Sequence, residues 1–152
     1  MTFAIVPIDA TAAPVAAALH EAGGLTESWD AKSFVSLLSV PGTEGRFALA
    51  EATADPVGLV LWRIAADEAE ILTISVLPAW RRKGAGRILL ESAIAAIRSR
   101  GATRIFLEVA VDNAPAERLY RDFGFETAGR RLSYYRTPTG MVDAAILVKH
   151  SV

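Results

Sequence analysis

The stretch that most constrains the fold of this chain runs from residue 71 to residue 87. An apolar, largely β-branched segment ends at Pro78, and a short basic segment with two glycines then leads into an amphipathic helix. A buried strand that is joined to a helix by such a turn is typical of α/β architectures. Small residues in the turn let backbone N–H groups approach a ligand closely.

The turn before this helix has the features of a phosphate-binding site. The partly positive N-terminus of the helix points toward it. The two commonest phosphate loops are excluded, because neither Gly-x-x-x-x-Gly-Lys-Ser/Thr nor Gly-x-Gly-x-x-Gly is present. An ordinary basic helix start remains the alternative. We predict a diphosphate-binding loop, called here the loop 81–87, formed by Arg81, Arg82, Lys83, Gly84, Ala85, Gly86 and Arg87.

Composition favours one globular domain that covers residues 1–152. The chain has 152 residues, of which 52% are hydrophobic, and its apolar segments are too short to span a membrane. The alanine-rich start lacks the basic segment of a signal peptide. The absence of cysteine excludes disulfides and thiolate chemistry and is compatible with a cytoplasmic location, which we expect.

The charge is distributed unevenly along the chain. Residues 1–70 carry 10 acidic and 3 basic side chains, whereas residues 71–152 carry 7 acidic and 13 basic ones. The net charge of −1 argues against nucleic acid as a partner. The acidic front half suits a cationic substrate, although solvated surface charge is the more common explanation.

Hydrophobic periodicity and turn residues predict eleven elements in the order β-α-α-β-β-β-α-β-α-β-β. The predicted strands are 2–7, 46–52, 57–64, 70–76, 104–110, 125–135 and 142–149. The predicted helices are 9–21, with Asp9 or Thr11 as cap, 30–39, 87–100 and 113–123. This order indicates an α/β fold with a mixed sheet flanked by helices, and the last two strands form an antiparallel pair.

A second motif, Asn-x-x-Ala-x-x-Leu-Tyr-x-x-x-Gly-Phe, extends from Asn113 to Phe125. With the Arg-x-x-Gly-x-Gly/Ala pattern of the loop 81–87, it resembles the GCN5-related N-acetyltransferases from about residue 68 to residue 128. That resemblance implies a mixed sheet of six to seven strands with about four helices, in which two central parallel strands splay apart. It also implies acetyl-CoA as cosubstrate.

Within this superfamily, the chain is similar to the bacterial ribosomal-protein-alanine N-acetyltransferases. The similarity rests on Leu-Glu-Val at 107–109 and on Arg-Arg-x-x-Tyr-Tyr-x-x-x-x-Gly-x-x-Asp-Ala at 130–144. A tryptophan before a helix, at 29–38, also matches. The resemblance implies a protein N-terminus, that of a ribosomal protein, as the acceptor.

Two side chains are candidates for the proton transfers that acetylation of an amine requires. Tyr120 lies seven residues after Asn113 on one helix, and the resemblance sets its hydroxyl near the cofactor sulfur, where it acts as the acid; a half-buried aromatic is the alternative. Glu108 is a carboxylate in an apolar strand. A charged group is unusual there unless its side chain faces a cleft, because burial of a charge is costly. Glu108 is the first candidate base, and a salt bridge to an arginine is its alternative role. Glu70 ranks second as base.

The resemblance also implies which residues line the two substrates. The acetyl-CoA arm is expected against Ile74, Ser75, Val76, Asn113 and Tyr120, with a backbone N–H near Val76 as the oxyanion donor. The acceptor is expected against Trp29, Glu70, Tyr134 and Tyr135, although core packing explains Trp29 nearly as well. His20 and His150 receive no function.

The leading hypothesis is an acetyl-CoA-dependent N-acetyltransferase that acts on the N-terminal α-amine, most simply an alanine, of a ribosomal protein. Two alternatives stay open at this point: acetylation of a small-molecule amine or a lysine, and a non-catalytic acetyl-CoA sensor. The sequence offers no cluster of metal ligands, so no metal is expected. No membrane partner is expected, and the oligomeric state, a monomer or a weak dimer, stays open.

Overall fold

The computed structural model describes residues 2–24 and 28–152. Its strands are β1 (Phe3–Pro7), β2 (Thr43–Ala50), β3 (Pro56–Ala65), β4 (Glu68–Val76), β5 (Arg104–Ala110), β6 (Glu126–Thr137) and β7 (Gly140–His150). Its helices are α1 (Ala13–Ala22), α2 (Ala31–Ser39), α3 (Ala85–Ser99) and α4 (Ala114–Asp122), with 3-10 turns at Ala10–Ala12 and Pro78–Trp80. The predicted order of elements is confirmed.

The strands form one mixed sheet in the order β1-β2-β3-β4-β5-β7-β6 within the described residues. Only β4 and β5 run parallel there, and every other neighbouring pair is antiparallel. This agrees with the predicted α/β class, with the number of strands and with the antiparallel pairing of the last two.

Several predicted element starts differ from the observed ones, and three of these shifts have a clear local reason. The first helix is divided, because Asp9 accepts hydrogen bonds from the N–H groups of Thr11 and Ala12 and so caps a 3-10 turn before α1. The second strand begins at Thr43 because Gly45 does not interrupt it. A Cβ on Gly45 would lie 2.5 Å from Leu61 Cδ1 of the neighbouring strand, so the glycine lets the two strands pack closely there. The third helix begins at Ala85, directly after its glycine cap.

Helices cover both faces of the sheet and form two cores. On one face α3 and α4 pack over the sheet, and the large buried side chains there include Trp62, Leu89 and Leu90. On the other face α1 and α2 enclose Phe34, Leu59 and Leu61. Complete burial of such a side chain contributes about 1.5–3 kcal/mol. The two cores hold the central strands rigidly from both sides.

The parallel strands β4 and β5 separate after their first three residue pairs. Their register pairs only residues 68–70 with residues 104–106, and β5 continues alone beside β7 as far as Ala110. On its other side, β4 pairs with β3 from Thr73 directly to Ile71, so Leu72 forms a bulge. The bulge changes which residues face α1, and the opened sheet leaves a fork between β4 and β5. The splayed parallel strands that the resemblance implies are therefore present.

Candidate active site

A cavity of about 310 Å³ occupies the fork. It is bordered by the separated parts of β4 and β5, by α4, and by residues from α1, α2 and β6. Eight of the residues that sequence analysis selects meet in its lining: Trp29, Glu70, Ile74, Glu108, Asn113, Tyr120, Tyr134 and Tyr135.

Glu108 faces away from the core of α3 and α4 because strand residues alternate. Its neighbours Leu107 and Val109 are only 2% and 5% exposed, whereas the Glu108 side chain lies at the cavity and is 19% exposed. Glu108 Oε1 is 2.6 Å from Arg131 Nε. The carboxylate thus has both the cleft position that a general base requires and the arginine partner named as its alternative role.

Tyr120 is held on the inner face of α4. Its side chain is almost fully buried, and its ring meets Phe125 edge-on with centroids 5.8 Å apart. Burial raises the pKa of the Tyr120 phenol well above its ordinary value, and the nearby Tyr135 raises it further. The phenol is therefore protonated at neutral pH and available as a proton donor at the cavity.

Asn113 forms the N-cap of α4. Its Oδ1 accepts a hydrogen bond from the Ala116 N–H over 3.3 Å. The cap uses the carbonyl oxygen of the side chain, and the amide NH₂ keeps its donors. The same side chain can therefore cap the start of α4 and donate to a ligand in the cavity.

The loop 81–87 leads into the 15-residue helix α3. Gly84 has φ +94° and has no side chain that could bond the N–H groups of the first helical turn. A Cβ on Gly86 would reach Leu119 at 3.5 Å, so the start of α3 packs closely against α4. Backbone donors of Ala85, Gly86 and Arg87 are thus collected at the positive end of a long helix, which is the arrangement that binds phosphate.

The cationic side chains of the loop have different partners. Lys83 lies over the Trp80 ring at 5.3 Å, and Arg87 is paired with Asp122 over 2.9 Å. Arg82, at φ +62°, is exposed. They increase the positive charge at the mouth of the loop.

Arg81 has a structural role. Its guanidinium donates to the carbonyl oxygen of Gly23 at the end of α1 and to that of Val76, the latter over 3.3 Å. Ser75 packs at the same place, because a Cβ on Gly23 would lie 1.9 Å from Ser75 Oγ. Ser75 and Val76 accordingly lie outside the lining of the cavity, whereas Ile74 is part of it.

Glu70 lies at the border of the cavity and pairs with Arg63 across the strands. The two charged groups are 3.7 Å apart, and the Glu70 side chain is 47% exposed. Its position is more open than that of Glu108. The structure brings both carboxylates to the cavity.

Sequence reasoning assigns no function to His20, yet this histidine lines the cavity and is only 1% exposed. Burial lowers its pKa to about 4. The spacing of buried residues in α1, at Ala13, Ala16 and Leu19, already indicates a face to which His20 belongs. Sequence reasoning also does not identify Thr73 of β4, the hydrogen-bond partner of His20, as a residue of the site.

Residues 2–24 and 28–152 contain no group of three or more His, Cys, Asp or Glu side chains that could hold a metal ion. Over the same residues, no helix has the length and apolar character needed to cross a membrane.

Comparison with known proteins gives the family. A family model for "Acetyltransferase (GNAT) family" matches residues 16–125. The chain is 36% identical over 122 residues to the [Ribosomal protein bS18]-alanine N-acetyltransferase of Salmonella typhimurium, and the match covers 78% of each chain.

Solved structures agree with this assignment. The crystal structure of the ribosomal-protein-S18-alanine N-acetyltransferase from Escherichia coli matches with a TM-score of 0.90 and 29% identity, over 99% of this chain and 94% of that one. Arabidopsis thaliana NAA60 in complex with acetyl-CoA shares the fold, with a TM-score of 0.83, 17% identity and 98% of both chains covered. The chain therefore belongs to the acetyltransferase (GNAT) family and is an N-acetyltransferase.

Proposed function

We propose that this protein transfers the acetyl group of acetyl-CoA directly to the N-terminal α-amine of a ribosomal protein, with alanine as the acceptor residue. One observation carries the proposal: a single cavity in the fork between β4 and β5 is lined by a carboxylate, Glu108, and by a protonated phenol, Tyr120. The similarity to the bS18-alanine enzyme of Salmonella typhimurium supports the choice of acceptor. A ribosomal acceptor also implies a cytoplasmic location.

The described residues fit acetyl-CoA as the donor. The part of β4 beyond Glu70 has no ladder to β5, so its backbone can pair with the amides of an extended arm as an added strand would. The N–H groups at the start of α3, with Arg82, Lys83 and Arg87, suit a pyrophosphate. Asn113 can donate its side-chain amide to the same arm.

The acceptor enters on the other side, against aromatic residues. Trp29, Tyr134 and Tyr135 line the cavity, and the two tyrosine rings meet edge-on with centroids 5.0 Å apart. Glu70 adds a carboxylate at the border. Rigid aromatic groups bind an extended peptide at low entropic cost.

The chemistry then needs three proton transfers: two protons leave the acceptor nitrogen, and one is delivered to the departing sulfur. Glu108 removes a proton from the acceptor ammonium, directly or through water, and the neutral nitrogen attacks the thioester carbon. The oxyanion is stabilised by a backbone N–H near Val76. When the C–S bond breaks, Tyr120 gives its proton to the departing sulfur, and the second proton that leaves the acetylated nitrogen restores the Tyr120 phenol. Burial also raises the proton affinity of the departing thiolate, which offsets part of the rise in the pKa of the Tyr120 phenol.

The test is release of free thiol from acetyl-CoA by the purified protein with three kinds of acceptor: a peptide that begins Ala-Arg, the same peptide with a blocked N-terminus and an internal lysine, and a panel of small amines. The proposal predicts turnover with the free N-terminus alone. Turnover with lysine or with small amines would assign a different acceptor to the same site.

A further inference from the structure

We infer that His20 is a positioning residue for the acceptor: its ring holds Trp29 and Thr73 where they form one wall of the cavity, and this wall sets which first residue of a peptide is accepted. The inference rests on the proposed acetylation of a protein α-amine. It concerns selectivity, which is separate from the proton transfers of Glu108 and Tyr120.

Both nitrogens of the His20 ring are engaged. Nδ1 lies 3.1 Å from the backbone nitrogen of Trp29, and Nε2 lies 3.0 Å from Thr73 Oγ1. Because a backbone N–H can only donate, Nδ1 is the acceptor, so in the neutral ring Nε2 carries the hydrogen and donates to Thr73. One side chain therefore fixes two partners that are far apart in the sequence.

Ring packing determines the orientation of the indole. Trp29 is stacked on His20 with centroids 4.9 Å apart and an interplanar angle of 17°, and Phe34 meets both rings edge-on at 5.6 and 5.7 Å. Residues 28–30 belong to no helix or strand. The Trp29 N–H consequently depends on a side chain for its hydrogen bond, and His20 supplies it.

The Thr73 bond extends this wall to the fork. Thr73 directly follows the bulge at Leu72, in the part of β4 that has separated from β5. His20, Trp29, Leu72 and Thr73 all line the cavity. The imidazole thus connects α1, the segment before α2 and the part of β4 that is not paired with β5. These three segments surround the space where the acceptor enters.

The electrostatics favour positioning over proton transfer. His20 is 1% exposed, and burial lowers its pKa to about 4, so the ring is neutral at neutral pH. A neutral ring whose two nitrogens are already hydrogen-bonded is poorly placed to exchange protons with a substrate. Its contribution is the placement of Trp29 and Thr73.

Three substitutions separate the two hydrogen bonds. His20→Asn keeps an oxygen near the Nδ1 position for Trp29, His20→Gln keeps a donor near the Nε2 position for Thr73, and His20→Phe keeps the ring and loses both bonds. Thr73→Val removes the second bond from the other side without changing the ring. Each is assayed for acceptor KM, for kcat, for acetyl-CoA affinity by calorimetry, and for the ratio of kcat/KM between peptides that begin with alanine and with leucine.

We expect His20→Phe to raise the acceptor KM and to lower the alanine-to-leucine ratio by about fivefold or more, the loss typical of a hydrogen bond, with unchanged acetyl-CoA affinity. His20→Asn should recover more of the ratio than His20→Gln, because it keeps the bond to Trp29. An unchanged ratio in both His20→Phe and Thr73→Val would overturn the inference. A variant in which acetyl-CoA affinity falls by the same factor as the acceptor KM rises would also overturn it, because that pattern indicates a general structural role.

A readout without turnover distinguishes this inference from the proposed function. The emission of Trp29, obtained by difference from a Trp29→Phe variant, reports the placement of its indole. We expect this emission to shift in His20→Phe. If the wild-type protein does not acetylate peptide N-termini, the proposed function is wrong, whatever the emission shows. If it acetylates them but His20→Phe changes neither the Trp29 emission nor the alanine-to-leucine ratio of kcat/KM, only the role of His20 is wrong.

Discussion

Arg131 Nε lies 2.6 Å from Glu108 Oε1, so a cation of the edge strand β6 fixes the carboxylate proposed as the base. Arg131 is opposite Ala144 of β7, which in turn is opposite Ala110 of β5. The guanidinium thus reaches across a whole strand, and the small side chain of Ala144 leaves room for it. The pair links the C-terminal hairpin to the reacting centre.

Removing this partner should affect the rate more than the stability. The Arg131 side chain is 54% exposed, so Arg131→Met should change the free energy of unfolding by less than about 1 kcal/mol. We expect kcat to fall by about ten- to a hundredfold because the carboxylate loses its orientation. Arg131→Lys should restore part of the rate. An unchanged kcat in Arg131→Met would show that the pair does not position Glu108.

Glu108→Gln should lower kcat by about 10²- to 10⁴-fold, since the amide cannot accept the ammonium proton. Glu70→Gln is the matched control, because it removes a carboxylate from the same cavity at a more open place. Its effect should be far smaller and confined to the acceptor KM. The reverse ranking of the two variants in steady-state kinetics would assign the base role to Glu70.

Tyr120→Phe removes the proton donor and keeps the ring contact with Phe125. We expect a large loss of kcat while the dissociation constant for acetyl-CoA, measured by calorimetry, stays within about twofold. A variant that loses acetyl-CoA binding to the same extent as rate would indicate that the hydroxyl serves binding instead.

Two glycines with the same backbone conformation should differ in how much they tolerate a methyl group. Gly42 and Gly101 have φ of +88° and +86°. A Cβ on Gly101 meets nothing within 4 Å, whereas one on Gly42 would lie 2.2 Å from the carbonyl oxygen of Ile64. Urea unfolding should show a cost of about 1–2 kcal/mol for Gly101→Ala and a clearly larger one for Gly42→Ala. Equal costs would mean that the β2–β3 region relaxes freely.

The buried His20 makes stability depend on pH. Its pKa of about 4 lies below the value of about 6.5 for an exposed histidine, so the unfolded chain binds more protons between these values. The contribution of neutral His20 to the free energy of unfolding is complete above pH 6.5. It is lost as the pH falls toward 4, by up to about 3 kcal/mol.

The control for this pH dependence is His20→Gln, whose unfolding free energy should be nearly flat between pH 6.5 and 4.5. The comparison is not affected by the three aspartates whose pKa values are lowered below 3.8 by hydrogen bonds, Asp9, Asp30 and Asp143. Their protonation changes the free energy of unfolding only in more acidic solution. Parallel curves for the wild type and the variant would contradict a neutral, buried His20.

The parts of the site that sequence could predict are those with a local pattern. Strand alternation predicts that Glu108 turns away from Leu107 and Val109, and helical spacing puts Asn113 and Tyr120 on one helix. The glycine-bearing loop and the helix after it follow from turn chemistry and periodicity. Each of these signals lies within a dozen residues of sequence.

The parts that sequence missed depend on contacts between distant segments. Arg81 donates to Gly23, and His20 bonds Thr73, over separations of 58 and 53 residues. The bulge at Leu72 changes the alternation of β4 without any glycine or proline to mark it. No local propensity encodes such pairings, because they are decided by how the two cores pack on the sheet.

The most direct test of the proposed reaction is to locate the transferred acetyl group. A peptide with a free N-terminal alanine and an internal lysine is incubated with the enzyme and isotopically labelled acetyl-CoA, and the product is fragmented in a mass spectrometer. We expect the label on the α-nitrogen of alanine alone, with its amount strongly reduced in Glu108→Gln and Tyr120→Phe. Label on the lysine side chain, or undiminished transfer in both variants, would contradict it.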